Sequence, residues 1–369
     1  MVIPDIHIGD AILAQGGLKV FKDFFPDAQV DFIVKKSVAS LFEGNPNISN
    51  LYPVFNGIVF PSESDLENVK RIAAENQYDL CYNCSPFFEN ESLFPKGQKI
   101  LNFLTIVPQV LRNDINLTGN NHIAFTCYDL PYQLLTKDHP VQRDEKFTGV
   151  PLTLSDAAIA DAKAFLADHH IPQNRPVVFL NPDTASIYTR IPHRDQTAML
   201  KKLSSLDISI LLGVGYTAKN IETELLERMT AEEKAKMTIV PATVSLDAYA
   251  ALIDFCDVFI SGDTGPLHIA AARKVSKSGQ FKFRNKTFVI SIFGATPPRL
   301  SGYDSTDPLY LGANQDALSK TYVSESPCRN ITCVNKMAKT CKKVRCYEFL
   351  NTDVIFSDIQ NYLTSFITR

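Results

Sequence analysis

The sequence predicts an α/β protein in two domains, each a parallel sheet covered by helices. Two observations lead there. Strand-like and helix-like periods alternate from the start of the chain to about residue 85, and again from residue 150 onward. The stretch between them that ends the first half, TKDHPVQRDEKFTG (136–149), is polar and without period, which places a domain boundary at 149/150. Length agrees, because 369 residues exceed one ordinary domain and suffice for two cores.

Each element follows from its residues. Val2 and Ile3 are a short apolar start, and Leu13, Gly17, Val20, Phe21 and Phe24 then recur at helical spacing until Pro26 stops the helix. VDFIV (30–34) reads as a strand, SVASLFEG (37–44) as a helix closing on Gly44, and NLYPVF (50–55) as a strand; NVKRIAAENQ and YDLCYNCS repeat the helix-strand unit. In the second half SDAAIADAKAFLADHH is helical and PVVFLNP (176–182) is an apolar strand. DISILLGVG, MTIVPAT, CDVFISGD and KTFVISIFGAT follow as strands with helical segments among them. The final stretch puts Ile355, Ile359, Tyr362, Leu363 and Phe366 on one helical face, so residues 351–369 should dock as a separate terminal helix after a second domain of 150–350.

Composition narrows the function. An apolar share of 45% and a charged share of 21% are those of a soluble globular protein. A formal charge of -3 gives no global reason to bind nucleic acid, so any anion site must be local. No apolar run approaches the roughly 18 residues that span a bilayer. The opening MVIPDIHIGD lacks a basic region and carries Asp5 and Asp10, unlike a secretory leader, so the expected setting is the reducing cytoplasm, where cysteines serve as thiols or metal ligands.

The stretch SGDTGPLH (261–268) carries the first chemical signal. With PDTAS at 182–186 it invites comparison with an aspartic-protease dyad, but a dyad needs two loops facing each other across all-β lobes, and both stretches here sit in a strand-helix alternation. The other reading suits an open α/β sheet. The strand CDVFIS hands over to a helix whose N-terminal amides and dipole hold a phosphate, with Gly265 offering close approach, Thr264 a hydroxyl, and Pro266 a position where a missing amide costs least. On this stretch alone, Asp263 and Thr264 could equally well just cap that helix.

Three stretches together resemble glycosyltransferase family 9, the heptosyltransferase group. They are IGDAIL (8–13) with NPNI (45–48) downstream, GDTGPLHIAAA (262–272), and FGATPP (293–298). The resemblance implies the GT-B architecture, in which two Rossmann-like domains face each other across a cleft, the second holding a nucleotide sugar and the first an acceptor, with the last helix packing back toward the first domain. It implies an inverting glycosyltransferase that moves a sugar, foremost a heptose, from a nucleotide-diphosphate donor such as ADP-heptose to a glycan, lipid-linked or protein acceptor in lipopolysaccharide biosynthesis. No catalytic cofactor is implied. A lipid-linked acceptor would bring the chain to a membrane surface. Asp10 matches the catalytic base; Asp263, Thr264, Gly265, Pro266 and His268 match the donor motif, with Thr184 and Arg190 as further donor-side candidates. Pro266 stands where the family has leucine. TRIP (189–192) stands for a Lys-x-Trp-Pro element, so Thr189 replaces the lysine and Arg190 follows one position later, either reaching a diphosphate or lying on the surface. A nucleotide-sugar 2-epimerase of the same architecture and a non-catalytic nucleotide-sugar-binding protein are the alternatives.

The insertion RKVSKSGQFKFRNK (273–286) carries six Lys or Arg, read as a solvated hairpin or as an arm for an anionic acceptor. Cys328, Cys333, Cys341 and Cys346 are spaced C-x4-C-x7-C-x4-C, a set able to close a structural zinc or iron site, or to remain free or redox-paired thiols. Cys81 and Cys84 are expected to be structural. The other histidines read as ordinary ones: His169 and His170 end a helix, His122, His139 and His193 show no partner pattern, and His7, two residues before the Gly9-Asp10 turn, is either one more of these or a residue bordering the cleft.

Overall fold

The computed structural model describes residues 1–4, 7–56, 61–85, 95, 99–102, 123–136, 152–184, 186–214, 220–275, 287–294, 296, 298–304, 319–324 and 345–367. These form two compact units that meet in sequence between Ser155 and Asp156, just past the polar stretch.

The first unit is built on a five-stranded parallel sheet in the order β3-β2-β1-β4-β5, with β1 at Val2–Ile3, β2 at Asp31–Lys35, β3 at Asn50–Phe55, β4 at Cys81–Asn83 and β5 at Ile100–Asn102. Although β1 has two residues, it is the central strand: Val2 and Ile3 are buried, and the carbonyls of Met1 and Ile3 accept from the amides of Tyr82 and Cys84 at 2.8 Å. Helix α1 (Ile8–Phe24) begins directly after it. Gly17 lets α1 lie close to the sheet, since a side-chain carbon there would sit 2.5 Å from the ring of Tyr82. Helix α2 (Glu63–Asn76) starts on a capping box of Ser62 and Asp65 and buries Val69, Ile72 and Ala73 against Ile3, Ile33 and Phe55. Helix α3 (Ile123–Leu135) packs along α1 and keeps Pro131 in its interior, where a proline ordinarily costs a helix one hydrogen bond.

The segment expected to be an α-helix between β2 and β3 is a 3-10 helix, Lys36–Phe42. A crossover must climb back along the sheet, and a 3-10 helix rises about 2.0 Å per residue against about 1.5 Å for an α-helix. Seven residues therefore cover more of the length of β2 in this form.

The second unit carries a six-stranded parallel sheet in the order β11-β10-β9-β6-β7-β8: β6 Val177–Leu180, β7 Ser209–Gly213, β8 Met237–Val240, β9 Val258–Gly262, β10 Phe288–Phe293 and β11 Ser319–Val323. Every residue of β6, β7, β9 and β10 is buried, as expected of strands covered on both faces. The helices are α4 (Asp156–Asp168), α5 (His193–Ser204), α6 (Ile221–Glu227), α7 (Ala231–Lys234), α8 (Leu246–Phe255), α9 (Gly265–Val275), α10 (Pro298–Ser301) and α11 (Thr352–Ile367). The terminal helix α11 docks: Ile355, Ile359 and Leu363 join the core of the second unit with Leu200, Ile290 and Ile292, and Asp358 receives Lys320 at 2.6 Å.

Strand order fixes where a ligand belongs. In the first sheet the chain steps from β1 outward to β2 and β3, then restarts on the other side of β1 with β4. In the second it steps from β6 to β7 and β8, then restarts beside β6 with β9. Such reversals open a crevice at the carboxyl ends of the two central strands, β1 and β4 in one unit and β6 and β9 in the other. Among the described residues no helix is long and apolar enough to cross a membrane.

Candidate functional site

At the first reversal, Asp10 lies in the opening turn of α1, immediately beyond β1. His7 precedes the helix with an extended backbone, and its Nδ1 lies 3.9 Å from Asp10 Oδ2. Both side chains are close to half exposed, at 42% and 46%. A carboxylate in the first turn of a helix is held in its ionised form by the dipole, the form that accepts a proton. The NPN stretch lies elsewhere: Asn45 donates to Gln15 Oε1 at 2.7 Å and braces the second turn of α1. Cys81 and Cys84 are buried, and burial pushes the Cys81 thiol up to about 11, so it is inert.

The second reversal gathers the loops after β6, β9 and β10. Gly262 ends β9 against the β6 loop, where a side-chain carbon would sit 2.5 Å from the carbonyl oxygen of Thr189 and 3.3 Å from Thr184 Cγ2, so glycine is required for the two loops to touch. Thr184, Ser186 and Thr189 lock this loop: Thr189 Oγ1 donates to Thr184 Oγ1 at 3.0 Å, and Thr184 Oγ1 to the carbonyl of Ser186 at 2.6 Å. Asn181 ties the end of β6 to β9 by donating to Ser261 Oγ at 3.2 Å, while Tyr249 donates to Asn181 at 3.1 Å.

Arg190 is not a surface arginine. It is 13% exposed, its Nη2 lies 2.6 Å from Asp183 Oδ1 and donates to the carbonyl of Thr184 at 3.2 Å, so it clamps the same loop. Asp183 and Asp263 thus stand after neighbouring strands, but Asp183 is matched by a guanidinium, which leaves no pair of carboxylates sharing a proton.

Asp263 does not cap α9 with its carboxylate. Oδ1 accepts from Ser301 Oγ at 3.1 Å, which binds the turn after β10 to the end of β9. Burial raises its carboxyl above the ordinary carboxylate range, and the bonds from Thr296 and Ser301 pull it part-way back. His268, in the first turns of α9, places Nδ1 2.8 Å from the hydroxyl of Tyr303 and Nε2 3.8 Å from Asp263. Burial lowers the imidazole to about 4, so it is neutral near pH 7 and its contact with Asp263 is not an ion pair. Thr264, Gly265 and Pro266 remain only partly buried at the mouth of the helix. Gly294, in the turn after β10, is backed by the ring of Tyr347 at 2.7 Å from where a side-chain carbon would stand.

Sequence reasoning did not find Ser301, Tyr303, Asn181 or Tyr347, all of which meet the motif only through the fold. It also missed the partner of His193, whose Nδ1 lies 3.0 Å from Glu224. Cys346 is buried beside Gly294. Cys328, Cys333 and Cys341, most of the basic insertion, His122 and His139 lie outside the described residues.

Residues 134–339, more than half of the 369-residue chain, match the family described as glycosyltransferase family 9 (heptosyltransferase). The chain belongs to glycosyltransferase family 9. As a member it is a glycosyltransferase, with two Rossmann-like units of the GT-B class. It is 20% identical over 285 residues to lipopolysaccharide heptosyltransferase 2 of Salmonella typhimurium, covering 74% of this chain and 79% of that protein. Among solved structures, a family 9 glycosyltransferase from Veillonella parvula is 16% identical with a TM-score of 0.71, covering 99% of this chain and 96% of the other. The ADP-heptose lps heptosyltransferase II of E. coli is 15% identical with a TM-score of 0.68, covering 99% and 98%. At these identities the structural likeness is one of fold.

Proposed function

We propose that this family 9 glycosyltransferase moves a heptose from ADP-heptose to a sugar hydroxyl of a lipopolysaccharide-type acceptor, with inversion at the transferred carbon. The observation that carries the reading is that both strand-order reversals bear residues suited to one half of the reaction. At the first, Asp10 is half exposed and placed to take the proton of the attacking hydroxyl. At the second, the partly buried start of α9 offers amides and the helix dipole to the diphosphate, which gains negative charge as the glycosidic bond breaks. Thr264 supplies a hydroxyl there, Gly265 leaves room for a phosphate, and neutral His268 adds a polar edge. Thr184 and Arg190 support this end by holding the β6 loop against Gly262.

The names of the curated relatives support heptose as the sugar and lipopolysaccharide as the acceptor class, and the name of the E. coli structure supports ADP-heptose as the donor. The test is acceptor-dependent release of ADP from ADP-heptose, with the product's anomeric configuration read by NMR. Release with an inverted linkage is expected. Conversion of the donor without any acceptor would instead indicate an epimerase, and tight donor binding without turnover on any lipopolysaccharide-type acceptor a binding protein. Gly265→Val should weaken ADP binding measured by calorimetry, and unchanged affinity would place the diphosphate elsewhere.

The reading of Cys328, Cys333, Cys341 and Cys346 as a structural metal site stands apart from the reaction. Stoichiometric zinc or iron in protein purified without chelators would support it, and elemental analysis finding neither would reject it.

A further inference from the structure

The part of the second reversal that the donor reading leaves unexplained is the pairing of two buried side chains 35 residues apart. Tyr303 is 2% exposed and His268 5% exposed, and the phenol oxygen lies 2.8 Å from Nδ1, with the two rings set edge to face at 71°. Tyr303 itself is held rigidly. Its amide donates to Thr321 Oγ1 at 3.1 Å, and that hydroxyl donates to the Tyr303 carbonyl at 2.8 Å, which ties it to strand β11. Gly302 just before it has no room for a side chain, since a Cβ would stand 2.7 Å from the carbonyl oxygen of Pro298. The other imidazole nitrogen, Nε2, lies 3.8 Å from Asp263 Oδ1. A neutral imidazole has one N–H and one lone pair, and the hydrogen bond made by one nitrogen sets which is which. A bare Nε2 would turn its lone pair toward the oxygen lone pairs of Asp263, whereas an Nε2–H turns a positive dipole toward them.

We propose that Tyr303 is a positioning residue that acts through His268: its hydroxyl donates to Nδ1 and fixes the ring as the Nε2–H tautomer, with the N–H edge aimed at the Asp263 end of α9. The preorganised N–H then adds to the positive face that the helix start offers a diphosphate, without reorganising when the ligand arrives. This rests on the donor reading for its purpose, but not for its geometry.

The experiment is two-bond 1H–15N correlation NMR on the full chain labelled with 15N-histidine at pH 7, combined with ADP titration. In the parent protein His268 should show a single Nε2–H tautomer. Tyr303→Phe keeps the ring and removes the donor, and should give a mixture of tautomers and a loss of ADP affinity of roughly three- to tenfold, the range of one hydrogen bond. A purely packing role would change the melting temperature and leave the tautomer alone. An Nδ1–H tautomer in the parent, which needs no variant to observe, overturns the proposal. So does an unchanged tautomer in Tyr303→Phe while the parent binds ADP. If neither protein binds ADP yet the tautomer shifts as stated, the positioning stands and the donor reading is the one that fails.

Discussion

Each reversal carries one histidine and one aspartate around the start of its helix, in opposite order, and the two pairs meet opposite surroundings. His7 and Asp10 are 3.9 Å apart and nearly half exposed. His268 and Asp263 are 3.8 Å apart, with side chains only 6% and 16% exposed. Around the first pair both side chains are open to water over nearly half their surface, so the carboxylate is accessible. Around the second, Ser301, Thr296 and Tyr303 replace water with fixed partners, the carboxyl is raised and the imidazole lowered to about 4. An exposed aspartate can exchange protons with a substrate, while a largely enclosed one held by Ser301 shapes the surface that neighbouring amides present. The same residue types thus meet opposite surroundings in the two units, which suits an exposed proton acceptor in the proposed reaction at the first and a fixed framework at the second.

That contrast can be broken by substitution. Asp10→Asn retains a helix-start residue about as good as aspartate but cannot accept a proton, so transfer should fall by about 10² to 10⁴ with little change in melting temperature. Turnover near the parent rate in a competent assay would make Asp10 a structural residue like its counterpart. Arg190→Ala should act in the opposite sense. It leaves Asp183 buried opposite an empty space and should cost about 3–5 kcal/mol in urea unfolding. A cost under about 1 kcal/mol would show that the loop clamp is as loose as a surface pair.

Acid should report the burial of His268. His268 is lowered from 6.5 to about 4 in the folded protein, so the unfolded chain binds its proton more readily. Its contribution is fully present above pH 6.5 and is lost as the pH falls toward 4, amounting to about 3 kcal/mol. His268→Gln should flatten the fall in stability over that window. An unchanged fall would remove the burial of His268 on which the comparison stands. The smallest effect is expected for Gly262→Ala, about 1–3 kcal/mol, because the Thr189 carbonyl must shift to admit a methyl group. A neutral result would mean that the β6 and β9 loops do not need their close contact.

Much of this was legible in the sequence, and the gaps have identifiable causes. Asp263 was singled out by the strand-to-helix turn that follows CDVFIS, Asp10 and His268 by the resemblance to family 9, and the places of all three beyond β1 and β9 follow from short-range order. The β-branched runs that became β2, β6, β9 and β10 were visible for the same reason. Helix α3 was hidden by Pro131, whose lost hydrogen bond is offset by packing along α1. Strand β5 has three residues, and β11 reads SKTYV, too short or too polar to show a period. Tyr303 and Ser301 could not have been found from the motif, because their link to it spans more than 30 residues and exists only once β10 lies beside β9. Arg190 was left open by the sequence between a diphosphate ligand and a surface residue, and its burial against Asp183 depends on how the loop after β6 folds back, which no periodicity encodes.

The central claim is that the diphosphate of the donor is held at the start of α9 and not at the start of α1. Titrating ADP into 15N-labelled protein and following backbone amides tests it most directly. The account predicts that the amides of Thr264, Gly265, Leu267 and His268 shift first and furthest, saturating together, while those of Gly9, Asp10 and Ala11 move little. Saturable shifts at residues 9–11 with residues 264–268 unmoved would contradict it.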